Sequence, residues 1–137
     1  MGNHLENVPF HLMRQLLQEH TSQWQKQLNG ITKQQYSVLC AVSDKPGIEQ
    51  VELMSEALMT KATLAELLVR MEKKGLLNRT TGITDKRRRH IYLTPAGVIS
   101  LESARKAAES VDAYFMKHLS NPQQQQLIEL LKKMLPE

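Results

Sequence analysis

The chain carries almost nothing with which to staple, span or catalyse. Its 137 residues include a single cysteine, Cys40, so no internal disulfide framework can form. No apolar run reaches membrane-spanning length and no secretory apolar core is present, so a cytoplasmic protein without a membrane partner is expected. The five histidines, at positions 4, 11, 20, 90 and 118, show no metal-ligand spacing with the cysteine or with one another. A phosphate-cradling glycine loop and a Gly-x-Ser-x-Gly elbow are both missing. Neither a metal, a cofactor nor an enzymatic activity is expected. The length fits one domain, large enough for a core but small for catalysis and regulation together.

What the chain does have is charge in one place. Eight of its 18 basic residues, Arg70, Lys73, Lys74, Arg79, Lys86, Arg87, Arg88 and Arg89, lie between Arg70 and His90, beside only Glu72 and Asp85. That window is net +6 and the rest of the chain net −2. Charge this localised predicts a footprint for a polyanion, with double-stranded DNA the leading partner. Solubility alone would not require such one-sided clustering. Gly75 can close a helix in the left-handed conformation, and 76–80 and 90–93 alternate as short strands around a loop at 81–89. The product is a basic-tipped hairpin whose Arg87, Arg88 and Arg89, with Lys86 beside them, suit the negative potential of a minor groove.

Helical periodicity dominates the remainder. A first helix is predicted from Pro9 through Leu28, stopping at Asn29-Gly30, with Phe10, Met13, Leu17, His20 and Trp24 along one stripe. Thr32 and Gln35 form a capping box for a second helix, with Tyr36, Leu39, Cys40 and Ser43 on its inner face. After a turn at Asp44-Lys45-Pro46-Gly47, Val51, Met54 and Leu58 mark a short third helix. Thr60 caps a fourth, running to Lys74, with Leu64, Leu67, Leu68 and Met71 inward and Ala62, Glu66, Val69, Arg70 and Lys73 outward. Two such helices and the hairpin make a winged helix-turn-helix. The exposed start of the fourth helix would lie in the major groove, Thr63 and Glu66 reaching base edges while Lys61 and Lys73 meet phosphates.

Thr94-Pro95 opens a fifth helix able to run to Leu119, with Leu101, Ala104, Ala108, Val111 and Phe115 at coiled-coil spacing. Ser120 and Gln123 form a second capping box, and Leu127, Leu130, Leu131 and Met134 stripe a last helix. Apolar helices at both ends of the chain point to a homodimer, with Phe10, Leu101, Val111, Phe115, Leu127 and Leu131 at the interface. The expected fold is therefore mainly α with a small β-hairpin wing. It is a single domain of 1–137, in which 1–30 and 94–137 are dimerisation helices and 32–93 is the DNA-binding module.

Leu76-Leu77 and Arg79, then Asp85-Lys86-Arg87-Arg88, then Leu93-Thr94-Pro95-Ala96-Gly97 resemble the wing signature of the MarR family of transcriptional regulators. Helix order and length are similar throughout, and 44–51 and 60–66 are most similar to the HosA-type subgroup. The resemblance implies a triangular homodimer whose first, fifth and sixth helices interlock while two winged modules read a pseudo-palindrome. Asp85 would pair with an arginine such as Arg87 or Arg79 to stiffen the wing, and Arg87 or Arg88 would enter the minor groove. It also implies repression relieved by a small effector, often an aromatic or phenolic acid, held between the dimerisation helices and the DNA-binding module. An aromatic carboxylate needs a cation or paired donors and a flat apolar wall, which His11, Arg14, His20 and Trp24 can supply, with Tyr36 and Cys40 pointing back from the second helix. Some members of the family sense oxidants through a cysteine near the start of the first helix; Cys40 lies elsewhere, on an apolar face where thiols are usually inert. A redox-sensing regulator and a sequence-tolerant architectural DNA-binding protein are the alternatives.

Overall fold

In the computed structural model, which describes residues 4–28 and 30–137, a short 3₁₀ turn at His4–Asn7 leads into α1 (Pro9–Gln27). The remaining elements are α2 (Lys33–Asp44), β1 (Ile48–Glu49), α3 (Gln50–Glu56), α4 (Lys61–Lys73), β2 (Leu77–Thr81), β3 (Arg89–Leu93), α5 (Pro95–Met116) and α6 (Asn121–Met134). Six helices and one small antiparallel sheet make a winged-helix fold. None of the described helices is long and apolar enough to cross a membrane. The expected stop at Asn29-Gly30 lies partly outside the described residues, because Asn29 is not among them.

Local chemistry sets the helix boundaries. Thr32 accepts from the Gln35 amide at 3.1 Å while the Gln35 side chain accepts from the Thr32 amide at 3.2 Å, and Ser120 and Gln123 repeat the arrangement on α6. Each reciprocal pair satisfies two amides that a helix start leaves open. α4 ends with Gly75 at φ 75°, the Gly75 amide donating to Glu72 and the Leu76 amide to Met71. The same two-bond closure ends α3, through Leu58 on Ser55 and Met59 on Met54, but a leucine at φ 56° occupies the left-handed position. Val51 and Leu58 are exposed, at 76% and 90%, so of the expected Val51, Met54 and Leu58 only Met54 packs against the core, beside the buried Leu53 and Ala57. On α2 the buried residues are Gln35, Val38, Leu39 and Val42, with Ser43 exposed.

The sheet order is β1-β3-β2. Ile48 pairs with Ile91 and Leu77 with Leu93. β1 was not anticipated, since two residues are too few to show alternation. The expected hairpin strands gain Thr81 and Arg89 and lose Leu76. Ile48, Leu77 and Ile91 turn into a core with Val38, Leu39, Leu53, Leu64, Leu68 and Met71.

Two compact units divide the described chain. One holds α1 and Ala108–Glu137; the other is Leu28–Ala107. The expected boundary at Thr94 therefore moves, because Leu101 of α5 belongs to the core of the second unit. α5 stops at Met116, short of Leu119, where the His118 and Leu119 amides tighten onto the carbonyls three residues back. The Gln124 side-chain amide donates to the Met116 and Leu119 carbonyls, at 2.9 and 3.1 Å, completing the stop. The Leu101, Ala104, Ala108 and Val111 seam is buried within the single chain, at 4% exposure or less. Leu101 and Val111 thus offer no side chain to a second copy, which corrects their expected place in a dimer interface.

Candidate nucleic-acid interface

α4 is held by its buried stripe of Leu64, Leu67, Leu68 and Met71, so Lys61, Ala62, Thr63, Glu66, Arg70 and Lys73 all stand exposed. The Thr60 hydroxyl accepts from the Thr63 amide at 3.3 Å and donates to the Thr63 hydroxyl at 2.9 Å. That relay leaves Thr63 with its own proton to give outward. One turn along, Glu66 can only accept when ionised, so α4 presents a donor and an acceptor at neighbouring positions. Lys61 adds its charge to the positive end of the helix dipole.

The wing loop closes on itself. The Gly82 amide donates to the Arg88 carbonyl at 3.0 Å and the Arg88 amide to the Asp85 carbonyl at 3.1 Å. Asp85 Oδ1 accepts from the Arg87 amide at 3.0 Å and from Nε at 3.1 Å, while Oδ2 accepts from Nη2 at 3.2 Å. Of the two expected partners for Asp85, Arg87 is the one engaged; Arg79 instead pairs with Glu72 of α4 at 3.1 Å. The Arg87 side chain, assisted by its backbone amide and by Arg88, holds the Asp85 carboxyl below the usual carboxylate range. The clamp's contribution is complete above the carboxyl's unfolded value and disappears only as pH falls through the lower folded one, so it is intact at neutral pH. Even so clamped, the Arg87 side chain is 91% exposed and keeps its outer edge free for an anion.

Arg88 is held differently. Its Nη1 lies 3.1 Å from Glu49 Oε1, on the unanticipated β1. Lys86 is exposed and lends its carbonyl to Arg89 Nη1 at 2.8 Å. The Glu49 carboxylate offsets the charge of Arg88, so Glu49→Gln is expected to tighten duplex binding several-fold. The same change in an Arg88→Ala background should do much less; equal gains in both backgrounds would show that the effect does not run through Arg88.

The expected effector residues are only partly brought together. In the unit containing α1, His20 Nε2–H donates to Asp112 Oδ1 at 2.6 Å, and its ring lies 5.7 Å from Phe115 and 6.3 Å from Trp24. Trp24 is buried, and Tyr114 meets Phe115 edge-on. Arg14 lines a different, open groove on α1 with Phe10, Met13, Leu17, Gln18 and Thr21. Six residues of helix turn Arg14 about 120° away from His20, so the two do not form one carboxylate clamp. His11 is half-buried on α1. Tyr36 and Cys40 pack, half-buried, against the core of the other unit. Among the residues expected at a dimer interface, Phe10 and Leu131 are exposed, at 69% and 42%, whereas Phe115 and Leu127 are half-buried.

Comparison with known proteins agrees with this geometry. The model of the MarR family matches residues 31–88. The transcriptional regulator HosA of Escherichia coli O157:H7 is 48% identical over 131 residues, spanning 96% of this chain and 97% of that protein. A mutant MarR from E. coli, solved in complex with operator DNA, superposes with a TM-score of 0.88 at 26% identity, covering 99% of this chain and 100% of that one. BpsR of Bordetella bronchiseptica, solved in a study of how 6-hydroxynicotinic acid regulates its DNA binding, superposes with a TM-score of 0.84 at 26% identity, over 90% and 96% of the two chains. The chain belongs to the MarR family of DNA-binding transcriptional regulators.

Proposed function

We propose that this regulator is a cytoplasmic, effector-responsive repressor that covers a pseudo-palindromic operator as a homodimer and leaves it when a small aromatic or phenolic acid binds. The observation that carries the DNA half is the outward face of α4 beside a clamped, cationic wing within one compact unit. On this reading Thr63 and Glu66 contact base edges, Lys61 and Lys73 meet phosphates, and Arg87 enters the minor groove.

Apolar side chains on α1 and α6 support the dimer. Phe10, Leu12, Leu16, Leu17, Leu130 and Leu131 are all more than 40% exposed, apolar side chains that a second copy would cover. Leu131→Glu is expected to yield monomers by light scattering and to weaken operator binding greatly, since two half-sites then bind independently. A mutant that remains dimeric would contradict this interface.

The effector half rests on BpsR, whose DNA binding 6-hydroxynicotinic acid regulates, and on the half-buried His20 with the ring of half-buried Phe115 beside it. The acid's carboxylate would replace Asp112 Oδ1 as the acceptor of the His20 Nε2–H hydrogen bond. Hydroxybenzoic and hydroxynicotinic acids should raise the melting temperature of the free protein and release a bound duplex in fluorescence anisotropy. Compounds that stabilise without releasing DNA would refute the effector role.

A further inference from the structure

Ile83, at the wing tip, is 98% exposed, more than any other large apolar side chain among the described residues. It sits on a fixed course of backbone. Gly82 beneath it is buried, a Cβ there would stand 2.5 Å from the Asp85 carbonyl oxygen, and the bonds through Gly82, Asp85, Arg87 and Arg88 close the loop behind it. Exposed cations follow it in the same loop and its exit, Lys86, Arg87 and Arg89 all lying within six residues along the chain.

An isolated aliphatic side chain on a cationic loop is complementary to one kind of surface in particular. The minor groove of DNA has phosphates along its rims and the aliphatic edges of deoxyribose along its walls, and proteins that enter it commonly place apolar side chains there. A protein-docking face would need a contiguous apolar patch, which one isoleucine does not make. Ile83 is also β-branched, so it has little rotamer freedom to lose on contact.

We propose that Ile83 is a DNA-contacting residue whose side chain packs on the deoxyribose walls of the minor groove entered by Arg87, adding affinity that salt does not screen. The proposal rests on the reading that the wing docks on duplex DNA. Its test is an anisotropy titration of the wild type, Ile83→Ala and Ile83→Val, over a series of KCl concentrations, on a duplex selected from a random pool by the wild type. Ile83→Ala is expected to bind about tenfold more weakly at every concentration, with an unchanged slope of log affinity against log salt, because apolar area is lost and no phosphate contact. Ile83→Val should stay close to wild type, and the melting temperature of neither variant should move. Ile83→Ala binding like the wild type, or losing affinity with a flattened slope, would overturn the proposal while leaving the DNA-binding wing intact. A wild type that selects no duplex would overturn the wing reading itself.

Discussion

Gly97→Ala is expected to be the most damaging small substitution in the chain. A Cβ at position 97 would stand 2.0 Å from the Leu76 carbonyl oxygen, a backbone atom that no rotamer change can withdraw. The approach is that close because the Leu-Thr-Pro-x-Gly run anchors the start of α5 onto the end of α4. The Thr94 hydroxyl donates to the Gly75 carbonyl at 2.5 Å, the Thr94 amide donates to the Leu76 carbonyl at 3.1 Å, and the Gly97 amide donates back to the Thr94 hydroxyl oxygen at 3.0 Å. Relieving the clash means moving α5 off the turn that leads into the wing, which breaks these bonds together. Overpacking against fixed backbone costs about 3 kcal/mol or more, a fall in melting temperature of roughly 10 °C for a chain of this size. A Gly97→Ala protein melting within a degree or two of the wild type would show that the anchor is not rigid.

The second large effect is expected on affinity rather than stability. Arg87 and Arg88 are both surface side chains, paired with Asp85 and Glu49, so replacing both by alanine removes little from the core. In a dimer the double substitution deletes up to four cationic contacts with DNA. Each lost phosphate contact flattens the slope of log affinity against log salt by about 0.9, so a loss of roughly two to four units is expected, with affinity falling by about a hundredfold at low salt. An unchanged slope would mean that the wing stays off the duplex.

Much of the fold was legible because its signals are local. Thr32-Gln35 and Ser120-Gln123 announce their helices by chemistry three residues apart, Gly75 announces its turn by lacking a Cβ, and the α4 stripe follows helical spacing. The misreadings share the opposite origin. Leu58 holds a left-handed turn that glycine usually holds, so nothing in its side chain signals the end of α3. β1 exists only because Ile48 and Glu49 meet Ile91 and His90, far along the chain. Leu101 and Val111 follow the spacing of a dimer seam, but that spacing is the same whether the cover is a second copy or the chain itself.

The candidate site divides in the same way. The basic wing and outer face of α4 were readable from charge and periodicity. The choice of Arg87 over Arg79 as the partner of Asp85, the diversion of Arg88 to Glu49 and the pairing of His20 with Asp112 all depend on tertiary placement. The exposure of Ile83 depends on tertiary placement in the same way, since nothing in the residue type sets it apart from a buried isoleucine.

Sequence-specific reading of DNA by α4 and the wing is tested most directly by one ratio: the affinity of the wild-type protein for its selected duplex over that for a scrambled duplex of the same base composition, both at physiological salt. A value of about a thousand or more is expected of a regulator that reads base edges. A ratio near one would mean that only phosphates are bound, and the chain would then be a coater of DNA rather than a reader of it.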